Sequence, residues 1–76
     1  MKVKIKSFEV LKEEFGENDN GVILCKGGFT KEMEEMIPKD RIVEVETSKD
    51  LPEGVLGFYN GKVITNDMVE EVVDVS

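Results

Sequence analysis

Residues 2–6 alternate between lysine and aliphatic side chains: Lys2, Lys4 and Lys6 fall on one side of an extended chain, Val3 and Ile5 on the other. A period of two predicts a half-buried strand, and a lysine row of this kind discourages edge-to-edge pairing. The period then changes. Phe8, Leu11 and Phe15 recur at helical spacing, with Glu9, Lys12 and Glu13 on the wet side. Ser7 stands where a helix is capped and Gly16 where one stops. A polar loop over residues 17–21 leads into Val22-Ile23-Leu24-Cys25, a short apolar run that predicts a buried strand ended by Gly27-Gly28. Thr30 caps a second helix whose inner face is Met33, Met36 and Ile37, and Pro38 forces it to stop.

Residues 41–47 alternate again, placing Val43 and Val45 inward and Glu44 and Glu46 outward. Leu51-Pro52-Glu53-Gly54 is a turn, and Val55 to Tyr59 is a strand. Asn60-Gly61 predicts a type I′ hairpin, with Lys62 to Ile64 pairing back. Thr65 is expected to cap a last helix carrying Met68, Val69, Val72 and Val73, whose β-branched members leave it dependent on packing. The predicted order is β-α-β-α-β-β-β-α, one α+β domain over residues 1–76 with its third to fifth strands as an antiparallel meander. A small bent antiparallel sheet, or an SH3-like partial barrel, flanked by helices fits that order.

One pattern occurs twice. Phe29-Thr30-Lys31-Glu32-Met33 and Ile64-Thr65-Asn66-Asp67-Met68 each give an apolar residue, a threonine, an acid in the first turn and a methionine. The physical content is a helix start used twice, with Ile64 and Val69 placed to form a hydrophobic staple. Two copies are too few for a repeat architecture.

A chain of 76 residues buries only about 60% of its unfolded surface, so its core is marginal. The single cysteine forbids an internal disulfide, and the absence of histidine excludes a Cys/His zinc site. We therefore expect no metal and no cofactor. One unpaired cysteine suits a reducing compartment, the N-terminal lysines do not make a signal peptide, and no apolar run reaches membrane-spanning length; a cytoplasmic protein is expected. Net charge is −7, divided between net +3 over residues 1–12 and net −10 over the rest. Such a surface repels a phosphate backbone, which argues against direct nucleic-acid binding.

The residues that carry chemistry elsewhere are poorly supported here. Cys25 has no histidine to activate it, and Lys26 would point to the opposite face of a strand, so a buried structural thiol is expected. Counting Gly21 as the sixth position of a calcium loop puts glycines at its first and twelfth, where carboxylates are required. Gly27-Gly28 lacks the spacing and the following Lys-Ser/Thr of a phosphate-binding loop. Paired acids such as Glu13/Glu14 and Glu44/Glu46 read as solvated faces, and Met33 and Met36 as core filling.

Ser7-Phe8, Glu14-Phe15-Gly16, Gly21, Phe29 to Met33, Val43-Glu44-Val45 and Ile64 to Met68 together resemble small uncharacterised proteins encoded by phages, prophages and other mobile elements of Gram-positive bacteria. That resemblance implies a small cytoplasmic accessory protein, not an enzyme, and brings no assigned site. The function expected is a non-enzymatic, monomeric interaction module that binds a protein partner through outward carboxylates: Glu32, Glu34, Glu35, Glu44, Glu46, Glu70 and Glu71. The alternatives are an acidic nucleic-acid mimic occupying the basic groove of another protein and, third, a small enzyme.

Overall fold

The structure is a computed structural model that describes residues 1–74; the last two residues of the domain expected over 1–76 lie outside the described residues. It is an α+β fold. Its elements are β1 (Lys2–Ile5), α1 (Phe8–Phe15), α2 (Lys31–Met36), β2 (Ile42–Glu44), β3 (Val55–Tyr59), β4 (Lys62–Thr65), a single 3-10 turn (Asn66–Met68) and β5 (Val69–Asp74). Strand β1 is central, with β2 and β5 antiparallel on either side of it. Val3 and Ile5 are buried as the alternation requires. The lysine row lies in the middle of the sheet and not on an edge. Lys2 stands opposite Glu44 and Asp74, and Lys4 opposite Glu71. Opposite charges on facing strands favour this register over slipped ones.

Both helices begin as their caps dictate. Ser7 Oγ accepts from the Val10 amide at 3.2 Å and Thr30 Oγ1 from the Met33 amide at 3.2 Å. Gly16 ends α1 in the left-handed region. Leu11 from α1 and Met33 from α2 join Val3, Ile5, Ile23, Cys25, Phe29, Val43, Val45, Ile64 and Met68 in one core.

The β3–β4 hairpin closes through Asn60 and Gly61, whose φ angles are 50° and 78°, with Tyr59 paired to Lys62. This is the two-residue turn with two positive φ values that the Asn-Gly pair predicts. Hydrogen bonds to the backbone tie the hairpin to the segment just after β2 and to α2. Glu46 and Phe58 exchange backbone hydrogen bonds of 2.8 and 2.9 Å, and the Tyr59 hydroxyl donates to the Met36 carbonyl at 3.1 Å. A Cβ on Gly57 would run into the Glu46 carbonyl oxygen and lie 2.7 Å from Val45 Cγ1. Only glycine lets β3 approach this closely.

Two predicted elements are corrected. Residues 22–25 form no strand: Ile23 makes isolated bridges to Phe29 and Glu17. The Cys25-to-Gly28 turn, closed by a 3.0 Å bond from the Gly28 amide to the Cys25 carbonyl, sends the chain straight back. The inward positions nevertheless agree with the apolar pattern, since Ile23 and Cys25 are buried and Leu24 is exposed. The last helix is also replaced. Only Asn66–Met68 is helical, as a 3-10 turn, and Val69–Asp74 is a strand on β1. Valines lose rotamer freedom in a helix and fit a pleated strand, and the lysines of β1 give Glu70, Glu71 and Asp74 opposite charges to face. The Ile64–Val69 staple has no helix to hold. The observed order is therefore β-α-α-β-β-β-β with a 3-10 turn before the last strand, in place of the predicted β-α-β-α-β-β-β-α.

Candidate functional site

Arg41, the single arginine among ten cationic residues, is held by three side-chain hydrogen bonds. The chain leaves α2 at Pro38 and turns, with the Arg41 amide donating to the Pro38 carbonyl at 2.9 Å and Asp40 Oδ1 accepting from the Ile42 amide at 3.0 Å. This turn holds Arg41 at φ 66°, left-handed for a residue with a Cβ. Its guanidinium crosses the end of β1. Nη2 donates to the Lys6 carbonyl at 2.6 Å, Nε to the Ile5 carbonyl at 3.2 Å, and Nη1 to Glu34 Oε2 at 2.6 Å. Lysine offers one point charge and cannot make this fork. Arg41 thus locks α2 to β1 through Glu34. The other carboxylate oxygen, Glu34 Oε1, is buried without a hydrogen-bond partner.

Glu34 also lines a shallow, open depression of about 400 Å³ between the start of α1 and one side of α2, together with Ser7, Phe8, Glu9, Lys31 and Glu35. Phe8 is partly buried there, its ring 6.2 Å from that of Phe29. Three carboxylates, one of them already bound to Arg41, and one ammonium thus line the depression beside an aromatic ring. That arrangement suits a cationic side chain from outside more than an anion.

The seven glutamates expected to point outward do not gather into one patch, and Glu34 is not outward at all: it is partly buried, turned in to meet Arg41. Glu34 and Glu35 share the depression. Glu44 sits on β2 and Glu70 and Glu71 on β5, with all of β1 between them. Glu46 lies past β2, at the bridge to Phe58. Four of them face the chain's own cations: Glu32 with Lys62 at 3.5 Å, Glu34 with Arg41, Glu44 with the Met1 amino group at 2.8 Å, and Glu70 with Lys4 at 3.1 Å. The exposed pairs contribute little to stability, but each lowers the local negative field. Two residues of this region stand out only in three dimensions. Glu9 lines the depression, although helical spacing marks it simply as the wet side of α1. Arg41 ties α2 to β1, although alternation marks it simply as the start of a strand; its being the sole arginine is the signal that the sequence offers.

Gly27-Gly28 is occupied by the protein itself. The Lys26 amide donates to Asp67 Oδ2 at 2.7 Å, and Thr65 Oγ1 donates to Asp67 Oδ1. A Cβ on Gly27 would sit 3.0 Å from Met68 Cε and 3.0 Å from Thr65 Cγ2. The turn packs tightly on the 3-10 turn; the Gly28 amide is taken by the Cys25 carbonyl and the neighbouring Lys26 amide by the Asp67 carboxylate. Lys26 Nζ reaches across to the Glu53 carbonyl at 2.6 Å. Cys25 lies in the same turn, buried. Burial pushes its thiol pKa up, and the negative charge of Asp67 raises it further. The Asp19 loop is an ordinary turn: Asn18 Oδ1 accepts from the Asn20 and Val22 amides at 2.8 and 3.1 Å. Among the described residues no group of three or more acidic, cysteine or histidine side chains is arranged to hold a metal ion, and no helix is long and apolar enough to cross a membrane.

No family model, curated protein or solved structure matches the chain.

Proposed function

We propose that the chain is a non-enzymatic interaction module that binds a basic protein partner through its acidic surface. The observation that carries this reading is the depression between α1 and α2, lined by Glu9, Glu34, Glu35 and Phe8 with Lys31 as the one cation of its lining; Glu34 is already held by Arg41, which leaves Glu9 and Glu35 to meet a partner. A lysine or arginine side chain entering there would meet carboxylates at the rim and an aromatic surface below. The module acts as a monomer in the cytoplasm, as an accessory protein of a mobile element, without metal or cofactor. Its two antiparallel sheets, joined by the Glu46–Phe58 bridge, support an SH3-like partial barrel as the finer description of the fold.

The competing reading, a nucleic-acid mimic, needs carboxylates succeeding one another like phosphates. Across the outer face of the sheet, acids alternate with Lys2 and Lys4, which favours the interaction module. The experiment is capture of partners from a cell lysate by the protein and by a Glu9→Gln/Glu35→Gln variant, with mass spectrometry of what is retained. A partner that is basic, is held more weakly by the variant and is released as salt rises supports the reading, because exposed charges are screened over about 8 Å at physiological ionic strength. Tight binding of DNA or RNA by the protein itself overturns it. Capture of a nucleic-acid-binding protein that DNA displaces supports the mimic instead.

A further inference from the structure

We infer that the outer edge of β5 is a strand-addition site for an extended basic segment of a partner protein, with lysines at alternate positions and β-branched residues between them. This rests on the acidic-surface reading and names a second place and a chemistry for it. Strand β5 is the last strand of its sheet, and residues 70–74 are all exposed. Val72 stands opposite Val3, yet Val72 is 47% exposed where Val3 is 0%. Val73 is equally exposed. Val69 at the start of β5 still packs against the core, but farther along the strand Val72 on one face and Val73 on the other are left half exposed among the described residues.

The inner edge of β5 shows what chemistry fits its outer one. That inner edge is taken by Lys2-Val3-Lys4-Ile5, with Lys2 opposite Asp74, Lys4 opposite Glu71, and Lys4 Nζ 3.1 Å from Glu70. This pairing runs through two irregularities, between Lys2 and Val3 and between Lys4 and Ile5. A lysine-alternating strand therefore accommodates the bulges of β5, which blunt the edge against a flat partner. A second copy of β5 fits poorly, since it would add two more glutamates to a strip that already holds Glu70 and Glu71. Glu71 makes no ion pair among the described residues and is left to meet an incoming lysine. Main-chain bonds would supply affinity in such a complex, and the alternating lysines specificity.

The test uses two peptides of equal length and charge, Lys-Val-Lys-Ile-Lys-Val-Lys and Lys-Pro-Lys-Pro-Lys-Pro-Lys, titrated into the isotope-labelled protein and monitored by backbone amide shifts. Proline removes the ladder donors and leaves the charge. The first peptide is expected to bind on the order of tenfold more tightly, to move the amides of residues 69–74, and to leave those of β2 in place. Glu71→Lys should abolish this. The double variant Glu70→Gln/Glu71→Gln, which adds no positive charge, should weaken it without changing the circular dichroism spectrum. Equal binding of both peptides, with shifts on α1 and α2, overturns strand addition and leaves the acidic-surface reading standing. Failure of both peptides to bind at low salt overturns the two together. Shifts of residues 69–74 that grow with protein concentration alone assign the edge to a second copy and overturn the basic partner.

Discussion

Phe29-Thr30-Lys31-Glu32-Met33 and Ile64-Thr65-Asn66-Asp67-Met68 present the same succession of side-chain types, and the first opens a helix while the second gives one 3-10 turn and becomes a strand. Their apolar members behave alike: Phe29, Ile64, Met33 and Met68 are all in the core. Their polar members do not. Thr30 accepts from the backbone amide of Met33, as a cap does. Thr65 is buried, accepts no capping bond and donates its hydroxyl to Asp67, which also holds the Lys26 amide. Glu32 at the matching place is 72% exposed and pairs loosely with Lys62. The helix-start pattern thus fixes where two apolar side chains go. The residues on its C-terminal side decide the rest: Glu34-Glu35-Met36 continue a helix, and Val69 to Val73, alongside β1, extend into a strand.

If the shared apolar pair anchors both segments, shortening either methionine should be costly. Met33→Ala and Met68→Ala are each expected to destabilise by about 2–5 kcal/mol, measured by denaturant unfolding. A cost confined to one of them would break the likeness and make the shared pattern a coincidence of sequence.

The polar positions should part company. Asp67→Ala leaves the buried Thr65 hydroxyl and the Lys26 amide without their acceptor, at about 1–3 kcal/mol. Glu32→Ala removes one exposed ion pair, worth less than about 1 kcal/mol. Equal effects would mean that the Asp67 contacts contribute no more than a surface pair.

The same contrast separates features that are legible in the sequence from features that are not. Patterns that act locally are legible: the alternation of β1, the caps at Ser7 and Thr30, and the Asn60-Gly61 turn all occur as residue order predicts. Patterns settled by a distant neighbour are not. Residues 69–74 carry apolar side chains at spacings compatible with a helix, and their strand depends on β1, at the opposite end of the chain. Ile23 and Cys25 are recognisable as buried, but no ladder forms because the Gly27-Gly28 turn docks on Asp67, 41 residues beyond Lys26. The depression beside Phe8 combines residues 7–9 with residues 31–35, and the Arg41 fork spans α2 and the end of β1. Neither juxtaposition leaves a mark in local periodicity. The glutamates other than Glu34, which turns in to Arg41, are identifiable as outward one by one, but the separation of Glu44 from Glu70 and Glu71 by β1 comes from strand order, which a single sequence does not disclose.

The smallest effect expected of this comparison is on Cys25, which shares its turn with the Asp67 contact. Burial is the first cause of its raised pKa and the charge of Asp67 the second. The unfolded chain releases the thiol proton at the ordinary pKa, and the folded chain holds it to higher pH. The stability this contributes is complete below the ordinary thiol pKa and is lost as pH rises through the raised value. Asp67→Asn keeps the shape of the side chain and removes its charge, so it should bring the Cys25 pKa down without reaching the ordinary value, since burial remains. The measurement is the pH profile of thiol labelling under native conditions. In the parent protein labelling should be slow and its rise displaced to high pH; in Asp67→Asn the rise should begin earlier. A Glu32→Gln variant should leave the profile unmoved, because its carboxylate belongs to the other helix start. Labelling of the folded parent at the rate of the denatured chain would show that the turn does not bury its thiol. An unchanged profile in Asp67→Asn would show that Asp67 acts on this turn through its hydrogen bonds alone, without its charge reaching Cys25.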